Sequence, residues 1–326
     1  MPNSEPGTVF VRSVLQRAAA NPRTIMFPEA GDPRTVLAVR KLQEQHTVTC
    51  VLVGEGENVP GVERIIPHTD SRLTRIAELL HTRRAAKGLT EEQALALAQQ
   101  PLFFADGLVA LGDADGCVAG AVHNTGDVVR AALWTVGTAT GVRTVSSAFY
   151  MLVNNFRNRG AEVLTFADCA VVPDPTARQL CDIARAAAAD RRRIVGDEPC
   201  VALLSYSTAG SAEGPSIDKV REARAILASE APDLNVDGEL QGDAALIASV
   251  ALRKAPGSSV AGKANVLVFP SLDAGNLAYK LVQRLGNCRA IGPILQGMRR
   301  PCSDLSRGAE PADIALVAAI TALQAG

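Results

Sequence analysis

Residues 24–54, TIMFPEAGDPRTVLAVRKLQEQHTVTCVLVG, decide the fold. Thr24-Ile25-Met26-Phe27 reads as a short buried strand. Gly31, Asp32 and Pro33 form a polar turn that opens a helix, and proline suits a first helical turn because its missing N–H is no loss there. Thr47 to Val53 is strand-like again, and Gly54 closes it. Upstream, Val11, Val14, Leu15 and Ala18 follow the i, i+3, i+4, i+7 spacing of an amphipathic helix.

The same rhythm continues downstream. Strands are expected near 116–119, 162–166, 200–205, 264–269 and 289–292. Helices are expected near 126–137, 176–189, 216–229, 243–253 and 273–285, with a terminal helix near 311–324. Such alternation implies an α/β fold of mostly parallel sheets flanked by helices. Ligands then bind beyond the carboxyl ends of the strands, so the following turns are where chemistry is sought. A chain of 326 residues points to two domains. The least regular stretch, 138–160, marks the change between them. The division expected is 1–145 plus 308–326 for the first domain and 146–307 for the second.

Composition narrows the function. Aromatic residues are 4% of the chain against 47% hydrophobic overall, which favours aliphatic helix–sheet packing over a β-sandwich. A net charge of −1, one Trp and three Tyr provide neither a basic field nor stacking platforms, so nucleic acid is not expected as a partner. No apolar run is long enough to span a bilayer, and MPNSEPGTVF has no signal-peptide pattern, so no membrane partner and a cytoplasmic location are expected. The seven cysteines are scattered and never spaced CxxC, which supports neither a disulfide framework nor a metal site. Gly54-Glu55-Gly56 is not a dinucleotide fingerprint, and Lys263 is followed by Ala264 where a phosphate loop needs Ser or Thr.

Three stretches carry chemical potential. In Leu305-Ser306-Arg307-Gly308 with Asp313, a hydroxyl donor, a permanent cation and a carboxylate stand within one turn-sized segment. On spacing alone these residues are better described as the start of a helix with a surface Arg and a dipole-pairing Asp, because such short motifs are frequent by chance. Gly116 to Thr125 is a strand running into a small polar turn, with Asp127 and Arg130 following on a helix. Its backbone N–H groups would suit an anion, or the turn is simply close-packed with Arg130 paired to Asp127. His123 has no partner at ligand spacing and reads as structural. In Leu204 to Ala212, hydroxyl residues including Ser207, Thr208 and Ser211, with Gly210, either line a phosphate or carbonyl or form a polar loop.

Taken together, FADCAVVPDPTA (166–177), VALLSYSTAGSA (201–212), VDGELQGDAA (236–245), the long segment 254–286, GPILQG (292–297) and DLSRG (304–308) resemble the phosphate acetyltransferase family, over nearly the whole chain. The resemblance implies two α/β domains like those of isocitrate and isopropylmalate dehydrogenases, an active site in the interdomain cleft, and a homodimer joined through the second domain. It places Ser306, Arg307 and Asp313 on the family's catalytic Ser, Arg and Asp. It also places Arg130 and Arg84 on arginines associated with substrate binding. Ala131 and Ala309 stand where the family usually has Pro and Cys, and the Arg-Ala pair and the 166–177 stretch look closest to the ethanolamine-utilisation branch.

The implied reaction is reversible acetyl transfer between acetyl-CoA and phosphate, giving acetyl phosphate and CoA, with coenzyme A as substrate and no cofactor. Thiolate would attack directly in a ternary complex, with Arg307 on the phosphoryl group, Ser306 near the oxyanion or thiol, and Asp313 as base. Reference values near 3.9 for Asp and 8.5 for a thiol separate Asp313 from its task by about 6 kcal/mol. Burial of the Asp and Arg307 beside the thiol would close that gap. A cysteine nucleophile at Cys117, Cys169 or Cys302 is the competing chemistry. A phosphate butyryltransferase and a non-catalytic acetyl-CoA-sensing module are the competing functions.

Overall fold

The structure, a computed structural model, describes residues 6–154, 156–157 and 160–326. It divides into two compact units, one of Val11–Thr140 with Met298–Gly326, the other of Gly141–Gly297 with residues 6–10. Helix α1, Pro6–Ala20, runs from the second of these into the first.

The first unit holds β1 (Thr24–Phe27), α2 (Pro33–Glu44), β2 (Thr49–Val53), β3 (Glu63–Ile65), α3 (Leu73–Arg84), α4 (Glu91–Ala98), α5 (Pro101–Leu111), β4 (Gly116–Ala119) and α6 (Thr125–Thr135). β11 (Cys302–Asp304) and α12 (Pro311–Ala325) complete it. Its sheet has the order β11-β4-β1-β2-β3 with every pair parallel. Helices α2 and α12 pack together on one face, and α3 to α6 cover the other around Phe103, Phe104 and Leu108. α2 starts where the sequence demands: the Asp32 side chain accepts the N–H groups of Arg34 and Thr35, and Pro33 fills the first turn.

The second unit holds β5 (Ser146–Val153), β6 (Glu162–Ala167), α7 (Ala177–Ile194), β7 (Val201–Leu204), α8 (Pro215–Glu230), β8 (Val236–Leu240), α9 (Gly242–Leu246) and α10 (Ala248–Lys254). β9 (Val266–Val268), α11 (Leu272–Leu285) and β10 (Arg289–Gln296) follow. Its sheet order is β10-β5-β6-β9-β7-β8. The four strands from β6 to β8 are parallel, whereas β5 runs antiparallel to both β6 and β10.

Three expectations need correction. The stretch expected to be least regular contains the long strand β5, and of that stretch residues 155, 158 and 159 lie outside the described residues. The helix expected over 243–253 is two short helices, because Ile247 is extended between them. The chain joins the first unit at Met298, ahead of the expected 308, because β11 pairs with β4. Among the described residues no single helix is long and apolar enough to cross a membrane.

Candidate active site

The site is built on three strand ends of the first unit, those of β1, β4 and β11, which lie side by side in its sheet. Two residues beyond β1, Glu29 is buried at 5% exposure. Its carboxylate accepts the backbone N–H of Gly120 (3.1 Å), Ala121 (2.8 Å), Val122 (2.9 Å) and His123 (2.9 Å) from the turn after β4. Nδ1 of His123 lies 2.8 Å from Glu29 Oε1. Burial pushes the Glu29 carboxyl up, yet the hydrogen bonds from His123, Val122 and Gly120 outweigh it and hold the group below its ordinary value. Its hydrogen bond to Glu29 raises His123 against the opposing effect of burial. The N–H groups of this turn are filled by the chain's own Glu29 carboxylate.

Gly120 is required here. It sits at φ +109°, and a Cβ would stand 2.4 Å from Asp304 Oδ1 and 2.6 Å from the Leu305 nitrogen. The turn after β4 therefore packs directly on the turn after β11. Asp304 is fully buried, and Oδ2 accepts the Thr125 hydroxyl at 2.6 Å. Burial pushes its carboxyl up to about 6, with Thr125 and the Leu305 N–H pulling the other way.

The Ser306–Ala309 turn leads away from Asp304. The Ser306 carbonyl accepts the Ala309 N–H at 2.8 Å, Ser306 Oγ accepts that of Gly308 at 3.3 Å, and Ser306 and Arg307 are both exposed. Arg34 ties this turn to its neighbours. Nη1 donates to the carbonyls of Arg307 (2.6 Å) and Ala309 (3.3 Å), Nη2 to that of Ala121 (2.7 Å), while Asp32 holds the guanidinium in a fork. Asp313 stands in the first turn of α12, and its Oδ2 accepts the Glu310 N–H at 3.3 Å.

Two further expected residues lie in the same unit. Arg130 is exposed and donates to Asp127 at 2.7 Å on the first turns of α6. Arg84, at the end of α3, lies 4.3 Å over the ring of Trp134. The hydroxyl loop belongs to the other unit and is folded onto itself. Ser207 and Thr208 are buried, Ser207 Oγ donates to Glu239 Oε1 (2.9 Å) and Thr208 Oγ1 accepts the Gln241 N–H (2.9 Å). Gly210 N–H also reaches Glu239 (2.9 Å), and Ser211 Oγ accepts the Thr208 N–H (3.0 Å). Gly210 and Ser211 are exposed.

Sequence reasoning missed Glu29, Arg34 and any role for Asp304. An acid two residues beyond an apolar strand, at the carboxyl end where ligands gather, was the available signal for Glu29. Among the described residues no cluster of His, Cys, Asp or Glu could hold a metal ion. Cys117, Cys169 and Cys302 are buried, and burial pushes each thiol well up, which suits packing rather than nucleophilic attack.

The first unit is thus an α/β unit that presents an exposed Ser-Arg turn next to a turn anchored on a buried carboxylate, at the strand ends where ligands of such sheets bind. The family described as "Phosphate acetyl/butaryl transferase" matches residues 9–322, and the chain belongs to that family. A phosphate acetyltransferase of Paracoccus denitrificans is 47% identical over 95% of this chain and 98% of its own length. Among solved structures, a phosphotransacetylase from Streptococcus pyogenes is 39% identical with a TM-score of 0.91, covering 97% of this chain and 98% of that one. The EutD phosphotransacetylase from Staphylococcus aureus is 37% identical with a TM-score of 0.88, covering 98% of both chains. A putative 4-hydroxythreonine-4-phosphate dehydrogenase from Salmonella typhimurium, at 14% identity and a TM-score of 0.52 over 94% of this chain and 100% of its own, shares the fold alone.

Proposed function

We propose that this phosphate acetyltransferase moves the acetyl group directly between coenzyme A and phosphate, with both substrates bound together. The supporting observation is the Ser306–Arg307 turn, exposed at its tip and held at its carbonyls by Arg34. Holding both reactants makes the encounter intramolecular and lowers the barrier through orientation. Arg307 binds the phosphoryl group and offsets charge as phosphate departs. Ser306 donates to the oxyanion that develops on the acetyl oxygen. Asp313 takes the thiol proton. Arg84 and Arg130, both cationic and on the same unit, hold phosphates of coenzyme A. Ser207 and Thr208 frame a loop whose exposed Gly210 and Ser211 meet substrate.

The burial of all three candidate cysteines favours this route over a covalent acetyl-enzyme. Initial rates with both substrates varied test it. Intersecting double-reciprocal lines are expected, and parallel lines with an isolable acetylated enzyme would contradict direct transfer.

The protein acts as a cytoplasmic homodimer without a prosthetic group. Helix α11 supports the pairing: Leu277, Leu281 and Leu285 stand 61%, 56% and 83% exposed at a spacing of four, an apolar stripe on the surface of the second unit.

A further inference from the structure

The Glu29–His123 pair belongs to the turn after β4, which packs on the turn after β11 and is tied by Arg34 to Arg307, and it has no task in the transfer. We propose that His123 is a further catalytic residue, an acid whose Nε2 donates a proton to the departing phosphate. The assignment rests on the transferase reading.

Atom balance calls for such a group. As thiolate attacks acetyl phosphate, the S–C bond forms and the bond from the carbonyl carbon to the bridging oxygen breaks. The electron pair leaves on that oxygen. The fragment departs as the phosphate trianion unless a proton reaches it. Arg307 offsets charge but gives no proton, because a guanidinium is not deprotonated in proteins. Asp313 is accepting the thiol proton at that step. Imidazolium is the side chain whose ordinary titration lets it donate near neutral pH. In the opposite direction neutral His123 takes the proton from hydrogen phosphate as its oxygen attacks the thioester, and solvent resets both groups between turnovers.

The geometry fits. Glu29 is fixed by four backbone N–H groups, so the ring it orients is fixed as well. With Nδ1 turned to Glu29, Nε2 is on the far edge of a ring whose side chain is 35% exposed, and it has no hydrogen-bond partner among the described residues. The His123 turn meets the Arg307 turn twice, through the close approach of Gly120 to Leu305 and through the fork of Arg34 on Ala121 and Arg307. Glu29 also raises the proton affinity of the ring, against the opposing effect of burial. The other charged groups on the packed elements are Asp32 and Arg34 of the α2 start, Asp127 and Arg130 of α6, and Asp304 and Arg307 around the end of β11. Of these, Asp127 adds to the rise at His123.

The test is acetyl-CoA formation from acetyl phosphate and coenzyme A, at saturating substrates across the neutral range, for the wild type, His123→Gln and His123→Ala. The wild-type kcat is expected to fall on the alkaline side through the His123 pKa, read independently by NMR on the unmutated enzyme. His123→Gln is expected to lose about 10²-fold or more in kcat and to lose that limb, with the KM for coenzyme A nearly unchanged. Added imidazole should restore His123→Ala, less so as pH rises. Full kcat in His123→Gln with the alkaline limb intact, or a limb that does not match the NMR pKa, would overturn the assignment. A wild type that forms no thioester would instead sink the transferase reading, and the acid with it.

Discussion

Nη1 of Arg34 donates to the carbonyl of Arg307 at 2.6 Å, joining positions 273 apart in the chain. The other arm of the same guanidinium holds Ala121, so one side chain registers the turns after β4 and β11 against each other. Arg34→Ala frees three carbonyls and is expected to lower kcat/KM by about 10²-fold through misplacement of Arg307. Arg34→Lys should recover little, because an ammonium cannot fork across both turns. Steady-state kinetics beside a melting curve separates this from unfolding. Near-normal kcat/KM in Arg34→Ala would remove its positioning role.

Asp106, on α5, is 1% exposed, and among the described residues its oxygens have no hydrogen-bond partner, with the buried thiols of Cys117 and Cys302 near enough to ease its ionisation a little. Burial pushes its carboxyl up to about 7 from an ordinary 3.8. The folded state thus binds a proton the unfolded chain has released. Stability falls as pH rises between those two values and levels off above about 7, a total of about 4 kcal/mol for this group. Asp106→Asn should flatten that fall. Denaturant melts of both proteins from pH 4 to pH 8 check it, and parallel stability curves would show that Asp106 does not titrate in the fold.

Glu239 works in the opposite sense. Burial opposes its ionisation, but the fork from Arg221, the Gly210 N–H and the Ser207 hydroxyl hold its carboxyl down to about 2. A depressed carboxyl contributes stability above its unfolded value near 4.5, lost as pH falls towards 2. Glu239→Gln should destabilise the protein at pH 7 and leave it nearer the wild type at pH 3. Hydrogen exchange of residues 205–212 is the readout, and unchanged protection at pH 7 would contradict the role.

On α11, Leu281→Glu places a charge in the centre of the exposed stripe. A dimer paired through that stripe should dissociate, with sedimentation showing a monomer at micromolar protein. An unshifted dimer would place the contact elsewhere.

The strand–helix–strand reading of 24–54 holds because each element has its own local signal: a short apolar run, an Asp-Pro start, a closing Gly. β5 gave no such signal. Seven of its eight residues are buried, so inward and outward positions do not alternate, and its antiparallel pairing is a tertiary property. The site divides the same way. Ser306, Arg307 and Asp313 stand out as a short segment. Glu29 and Arg34 act through partners about 90 and 273 residues away, which no local window reaches. The N–H groups after β4 looked ready for a ligand because the carboxylate that fills them comes from another strand.

The most direct measurement of the central claim is thioester formation from acetyl phosphate and coenzyme A by the purified protein, run beside Arg307→Ala. The expected result is rapid acetyl-CoA formation by the wild type and a loss of about 10³-fold in kcat for the variant, with the fold intact by circular dichroism. No thioester from either protein, despite tight binding of acetyl-CoA, or equal rates from both, would contradict a transferase centred on Arg307.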